Sequence, residues 1–227
     1  MYRKLLTSAV FAGVAAGLVA ALLQFVFVIP SLLEGELYET GARVHFSAGA
    51  APESVRGAPG LGTDWGRHLM TVAFNVVGYV GFALLMVAAM ALAEMRGLTR
   101  ITPRQGLIWG LCGFIAVHLA PAVGLPPELP GTIAGEVGAR QTWWLGTLVA
   151  TAVGLWMIAF GRTPVALGGA ALMIVPHVVG APHLDTYWGV APPELAAHFA
   201  TLSLGTAAVG WTVLGGLAAL FWTRGRD

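Results

Sequence analysis

Charged residues are scarce in this chain: Asp, Glu, Lys and Arg together make up 10% of its 227 residues. A soluble domain carries about 25% charged residues, so this chain has too few to cover the surface of a soluble fold. Hydrophobic residues make up 57% of it. The composition therefore predicts a single integral membrane domain over residues 1–227, in contact with the lipid bilayer.

Cysteine is almost absent. The one cysteine, Cys112, excludes an intramolecular disulfide and any metal site built from several cysteines. There is no basic run or nucleic-acid motif, so nucleic acid is not an expected partner. A nucleophile paired with a base, a phosphate loop and a dinucleotide fingerprint are also missing. We therefore expect neither an enzyme nor a bound cofactor.

Long apolar stretches are what the chain has instead. A membrane-spanning helix needs about 20 apolar residues, and six stretches reach or approach that length. The first follows Tyr2-Arg3-Lys4 and is too long for the roughly 7–15-residue core of a signal peptide, so we expect a retained helix. The six stretches are 5–29, 69–92, 107–123, 143–160, 165–179 and 199–222.

The fifth stretch is short and contains Pro176. A proline inside a spanning helix frees a backbone carbonyl, which is tolerable only where protein or water satisfies it. A broken or half-length span here leaves five spans as the alternative to six. The predicted fold is an all-α, polytopic transmembrane helical bundle of about six spans, with a long first extracytoplasmic loop at 34–67.

Basic residues give the orientation. With the N-terminus in the cytoplasm, eight of the 12 basic residues fall inside and four outside, as the positive-inside rule requires. An even number of spans then places the C-terminus in the cytoplasm too. The inner set is Arg3, Lys4, Arg96, Arg100, Arg104, Arg162, Arg224 and Arg226, and the outer set is Arg43, Arg56, Arg67 and Arg140.

Acidic residues show the opposite distribution, with nine of 11 outside. Because acids contribute little to topology, this bias needs another explanation. Either they form an ordinary solvated loop surface, or they form an electronegative vestibule that concentrates cations. The nine are Glu34, Glu36, Glu39, Glu53, Asp64, Glu128, Glu136, Asp185 and Glu194.

Two histidines, His118 and His177, lie inside apolar stretches. Ionisable groups at membrane depth are costly and usually face the bundle interior or a wet cavity. The alternative for each is a packed imidazole with one hydrogen bond. Each histidine is followed by proline and then by Pro-Pro-Glu-Leu, which supplies Glu128 and Glu194. That tetrapeptide also suits a helix start, so we predict two equivalent segments, each restarting a helix at Pro-Pro-Glu-Leu.

A cluster of nitrogen and oxygen side chains surrounds the second copy. Glu194 and His198 are four residues apart and share one helix face, and His183 and Asp185 precede them. Imidazole and carboxylate suit divalent cobalt, nickel and zinc. We predict an outer metal site of His118, His177, Glu128 and Glu194, with His183, His198 and Asp185 at its entrance. The alternatives are a haem protein with His118 and His177 as axial ligands, or a scaffold that transports nothing.

At these residues the chain resembles the CbtA-type cobalt transporter subunits of bacteria. The matching segments are 119–131, 138–146, 176–183 and 193–199. The resemblance implies a transporter subunit of the bacterial inner membrane, linked to cobalamin synthesis, with Co²⁺ as the transported ion. It also implies a small single-span partner subunit with a histidine-rich end. That family is usually described with five spans, against the six apolar stretches of this chain.

Overall fold

A computed structural model describes residues 2–49 and 53–224, and this part of the chain is helical without strands, at 73% helix. Five of its helices are long and apolar enough to cross a membrane, and a sixth, α5, has 17 residues. The predicted all-α polytopic fold is thus confirmed. The helices are α1 (Tyr2–Glu39), α2 (Trp65–Met95), α3 (Pro103–Ala122), α4 (Val137–Phe160), α5 (Thr163–Val179) and α6 (Pro193–Thr223).

The first connecting loop is shorter than the predicted 34–67. Helix α1 continues to Glu39, and α2 begins at Trp65, where the Asp64 side chain accepts a hydrogen bond from the backbone N–H of Arg67. Helix α5 also continues through Pro176 and ends before Gly180. The proline lies in the last turn, so α5 is short but unbroken.

Helices α1, α2, α3 and α6 form a four-helix bundle in which α6 packs against the other three. Glycines make the close approaches. A Cβ at Gly13 or Gly17 of α1 would overlap the α2 backbone, and one at Gly215 of α6 would overlap the Gly106 carbonyl of α3. Without a strong hydrophobic drive between helices in lipid, such small residues permit the close packing that holds a bundle together.

Helices α4 and α5 form an antiparallel hairpin beside the bundle. Gly154 and Gly169 bring their backbones together. Trp109 of α3 contacts the rings of Trp156 and Phe160 on α4. Helix α3 is therefore the element through which the hairpin meets the bundle.

The two described ends of the chain lie at the same end of the bundle. Lys4 Nζ donates to the Arg224 carbonyl at 3.0 Å, whereas Ser31 Oγ lies 3.4 Å from His198 Nδ1 at the opposite end. We call the first the terminal end. The second is the loop end, because the loop residues 40–49, 53–64, 123–136 and 180–192 lie there.

Candidate ion-binding region at the loop end

All seven side chains of the predicted metal site lie towards the loop end. Helices α3 and α5 end there and α6 begins there, since α3 and α6 run antiparallel. Their positions are the last two turns of α3 (His118), the last turn of α5 (His177), the α3–α4 loop (Glu128), the α5–α6 loop (His183, Asp185) and the first two turns of α6 (Glu194, His198).

These side chains do not form a preassembled metal centre. Within residues 2–49 and 53–224, no three His, Cys, Asp or Glu side chains are grouped closely enough to hold a metal ion. His183, Asp185, Glu194 and His198 are all exposed. Any ion bound by this set has to draw the side chains together.

The two membrane-depth imidazoles have different surroundings. His118 stacks on Phe114 and meets the edge of Trp211, with ring centroids 6.2 and 6.1 Å away. His177 meets the edge of Trp143 at 5.9 Å, and Trp143 Nε1 donates to the Pro176 carbonyl at 3.0 Å. One imidazole belongs to the bundle and the other to the hairpin, which does not favour one haem between them.

The predicted equivalence of the two Pro-Pro-Glu-Leu segments is wrong. The first, 126–129, is loop without regular secondary structure, while the second starts α6 at Pro193. The residues that follow explain the difference. Pro130 and Gly131, the latter with a positive φ of 80°, oppose a helix, whereas Ala196 and Ala197 favour one.

Arginines pair with three of the nine acids that the sequence predicts to lie outside. Glu34 pairs with Arg43 at 3.2 Å and Glu128 with Arg140 at 2.7 Å. Arg67 holds Glu36 through both of its terminal nitrogens. The negative field of the loop end is therefore weaker than the number of acids suggests.

Two further acids cap helices. Asp64 caps α2, and Glu136 caps α4 by accepting from the backbone N–H groups of Gly138 at 2.8 Å and Ala139 at 2.6 Å. These backbone hydrogen bonds hold the pKa of the Glu136 carboxyl below its usual range. Both carboxylates thus have structural roles, as expected of acids at helix N-termini.

Inside the bundle, towards the loop end, lies a cavity of about 490 Å³ (the bundle cavity) that all four helices line. Asn75 Nδ2 donates to Gln24 Oε1 at 3.0 Å and to the Thr71 carbonyl at 2.8 Å, linking α2 to α1. His118 faces the cavity from α3 and Ser203 from α6. Gln24 and Asn75 are polar residues within the apolar stretches 5–29 and 69–92, whereas Ser203 is not distinguishable in the sequence from other small helix residues.

Two π-helical segments border the bundle cavity. Gln24–Val28 interrupts α1 and Ile115–Leu119 interrupts α3. A proline follows each segment. Pro30 lies six positions after Gln24, and Pro121 lies six positions after Ile115. Proline lacks an N–H and its ring crowds the carbonyl four residues earlier, and the wider π turn accommodates this strain. The turns place Gln24 and His118 on the cavity wall.

A second cavity, of about 570 Å³, lies between α2, α3 and α4 and extends towards the terminal end. Its lining is apolar and aromatic and includes Cys112. Phe82 and Trp211, with ring centroids 4.7 Å apart, stand between it and the bundle cavity. Phe82 thus lines both cavities, and its ring contacts Trp211 on the side of the apolar one.

Comparison with known proteins gives one informative match. No protein of curated function and no solved structure matches the chain. The family model described as "Probable cobalt transporter subunit (CbtA)" matches residues 2–223, which include all six helices. This chain, a multi-helix membrane protein, therefore belongs to the CbtA family of probable cobalt transporter subunits.

Proposed function

We propose that the protein is the membrane subunit of a divalent-metal uptake system whose ion is Co²⁺. The observation that carries the proposal is the family match over residues 2–223. The nitrogen and oxygen side chains gathered at the loop end support it, because imidazole and carboxylate are suitable ligands for such an ion. The ion is the transported substrate.

The loop end would receive the ion. His177, Glu194 and the exposed His183, Asp185 and His198 lie in helix ends and loops that can approach one another. Glu128 would exchange its Arg140 partner for the ion, and His118 stands at the wall of the bundle cavity. Nickel, copper and zinc should compete for such a site, following the Irving–Williams order.

The orientation supported by the basic residues puts this end on the periplasmic side of the membrane. With both termini in the cytoplasm of a bacterial cell, the loop end faces the periplasm, and eight of the 12 basic residues lie inside. A small single-span subunit with a histidine-rich end would deliver ions there. The chain carries no ATPase motif, so a gradient or a partner supplies the energy.

Cobalt uptake tests the receiving site. Cells that express the chain with its partner should take up radioactive Co²⁺, and His177→Ala and Glu194→Ala should each lower uptake about ten-fold, since even outer-shell partners of a metal cost 10–100-fold. His45→Ala is the control, because His45 bonds to Ser54 in the first loop. Normal uptake by both site variants would exclude the receiving site, and so would a defect confined to His45→Ala.

Reporter fusions test the orientation. A reporter fused after Asp227 should be active only in the cytoplasm, and one inserted at 56–60 only in the periplasm. Arg224 lies at the terminal end, whereas residues 56–60 belong to a loop at the loop end. The two fusions must therefore report opposite sides of the membrane. A periplasmic signal from the C-terminal fusion would contradict the proposed orientation.

A further inference from the structure

We propose that the bundle cavity is an intramembrane binding site for a divalent cation, with His118, Asn75 and Ser203 as neutral ligands. The identity of the cation as Co²⁺ rests on the proposed function. The existence of the site rests on the geometry of the cavity. Three features of the cavity point to such a site: unused ligand atoms, their depth in the helices, and a lining without charged side chains.

The hydrogen bonds of Asn75 and Ser203 show which of their atoms are free to bind an ion. An asparagine amide has two N–H donors, and Asn75 gives them to Gln24 Oε1 and the Thr71 carbonyl. The Thr71 carbonyl can only accept, so it fixes which end of the amide is nitrogen. Asn75 Oδ1 is then left facing no donor within the described residues. Ser203 Oγ, which is buried, has no hydrogen-bond partner there either.

His118 adds a nitrogen. Its ring contacts in the described structure are with aromatic groups, Phe114 and Trp211. Neither imidazole nitrogen has a hydrogen-bond partner within residues 2–49 and 53–224. Unpaired polar atoms are expensive where water is scarce. Oxygen and nitrogen atoms left unpaired around one cavity of about 490 Å³ indicate a polar occupant.

The depth of these atoms separates the cavity from the surface residues. Asn75 lies ten residues into α2, and Ser203 lies ten residues into α6. At about 1.5 Å per residue, both are about 15 Å along their helices from the loop end. The hydrocarbon core is about 30 Å thick. An ion held here has left the loops and entered the membrane part of the protein.

The backbone is also adapted to this cavity. Both π segments border it, and each carries a polar cavity residue, Gln24 in α1 and His118 in α3. Such π turns occur frequently at functional sites. The turn that accommodates each proline therefore also brings a polar side chain to the cavity wall.

The absence of charged side chains from the described lining bears on which ion the cavity can hold. Within the described residues, no Asp, Glu, Lys or Arg lines the cavity. Neutral ligands bind a cation less tightly than carboxylates do, and conduction requires binding that is weak enough for release. Imidazole with neutral oxygens suits a borderline divalent ion, whereas Mg²⁺ is usually held through carboxylates or phosphates. Phe82 lines both this cavity and the apolar cavity, so release towards the terminal end would pass its ring.

Binding of Co²⁺ to the purified full-length chain in lipid nanodiscs tests the site, with CoCl₂ as the probe and visible ligand-field absorption as the readout. The proposed outer residues are first replaced by alanine, so that they do not contribute to binding: Glu128, His177, His183, Asp185, Glu194 and His198. This background protein should still bind Co²⁺ in the presence of excess Mg²⁺. His118→Ala should weaken binding by at least about ten-fold, and Ser203→Ala should weaken it several-fold.

Thr201→Ala is the matched control. Thr201 lies two residues before Ser203 on α6, is exposed, and bonds to the Ala197 carbonyl of its own helix, so its removal should leave binding unchanged. Ser203→Ala removes a single oxygen. If His118→Ala does not fold, the affinity of Ser203→Ala for Co²⁺ tests the site instead. A background protein that binds no Co²⁺ overturns the site, as does unchanged affinity in Ser203→Ala and in any folded His118→Ala.

Cellular uptake with the natural outer residues separates this site from the proposed function. Uptake lost in Ser203→Ala and kept in Thr201→Ala supports the cavity as part of the route. Parental uptake in Ser203→Ala and in a folded His118→Ala overturns the site while transport stands. Specific binding by the purified protein, with no uptake by the parent in cells, overturns the transport function and leaves the site in place.

Discussion

Replacement of Gly215 by leucine is expected to abolish the accumulation of folded protein. A Cβ at this position would overlap the Gly106 carbonyl and the Gly110 backbone of α3. Those atoms are backbone, so no change of side-chain rotamer can relieve the overlap. Overpacking a core costs about 1–3 kcal/mol even where side chains can move, and here two helices would have to separate. Fluorescence-detected gel filtration of detergent extracts measures the loss.

Gly205→Leu is the control for that experiment. Gly205 lies on the same helix, but a Cβ there meets nothing within 4 Å. This variant should elute as a single peak at the parental position. An equally sharp peak from Gly215→Leu would show that α3 and α6 do not pack backbone to backbone.

Glu94→Ala is expected to lower the melting temperature of the detergent-solubilised protein by 5 °C or more. Glu94 Oε1 accepts from the backbone N–H of Ile101 and Oε2 accepts from Trp222 Nε1, both at 2.8 Å. One carboxylate thus joins the end of α2, the following loop and the end of α6. Hydrogen bonds to charged groups contribute about 1.5–3 kcal/mol each, and 1 kcal/mol corresponds to about 2–4 °C in a protein of this size.

Trp222→Phe should produce a smaller decrease, because Glu94 keeps its hydrogen bond from the backbone N–H of Ile101. Glu39→Ala, at the end of α1, should leave the melting temperature close to that of the parent. Thermal unfolding followed by near-ultraviolet circular dichroism measures all three variants. A parental melting temperature for Glu94→Ala would mean that these hydrogen bonds do not stabilise the terminal end.

Apolar length alone was sufficient to predict the helices. Each of the six stretches corresponds to a helix, including the short one that contains Pro176. The sequence did not predict which helices pack together. Gly13 and Gly17 contact α2 while Gly106 and Gly110 contact α6, yet glycine is common throughout the chain. The choice of partner depends on the fit of whole helix surfaces, which no local pattern records.

The sequence also did not predict which charged residues form ion pairs. Glu36 and Arg67 are 31 residues apart, and the sequence places them in one loop region without indicating contact. Counting charges therefore predicted a stronger field than the folded loop end has. The π segments could have been suspected from Pro30 and Pro121. The choice between a kink and a π turn, however, is made by the packing around each proline.

His118 and His177 show the limit of motif reasoning at the site. Their shared position before a proline correctly predicted that both helices end at the loop end. It did not predict that α3 is part of the bundle while α5 packs on α4. Neighbouring helices determine what an imidazole touches, and the same motif therefore has two environments.

The length of α5 has a consequence for the surrounding lipid. Its 17 residues span about 26 Å, less than the roughly 30 Å of an average hydrocarbon core, whereas α2 and α6 have 31 residues each. Acyl chains beside α5, as a membrane span, would have to compress to match it, at a cost of a fraction of a kcal/mol per ångström. The bilayer should therefore be thinnest on the hairpin side, and a membrane protein with an equally short apolar span would be drawn to that side.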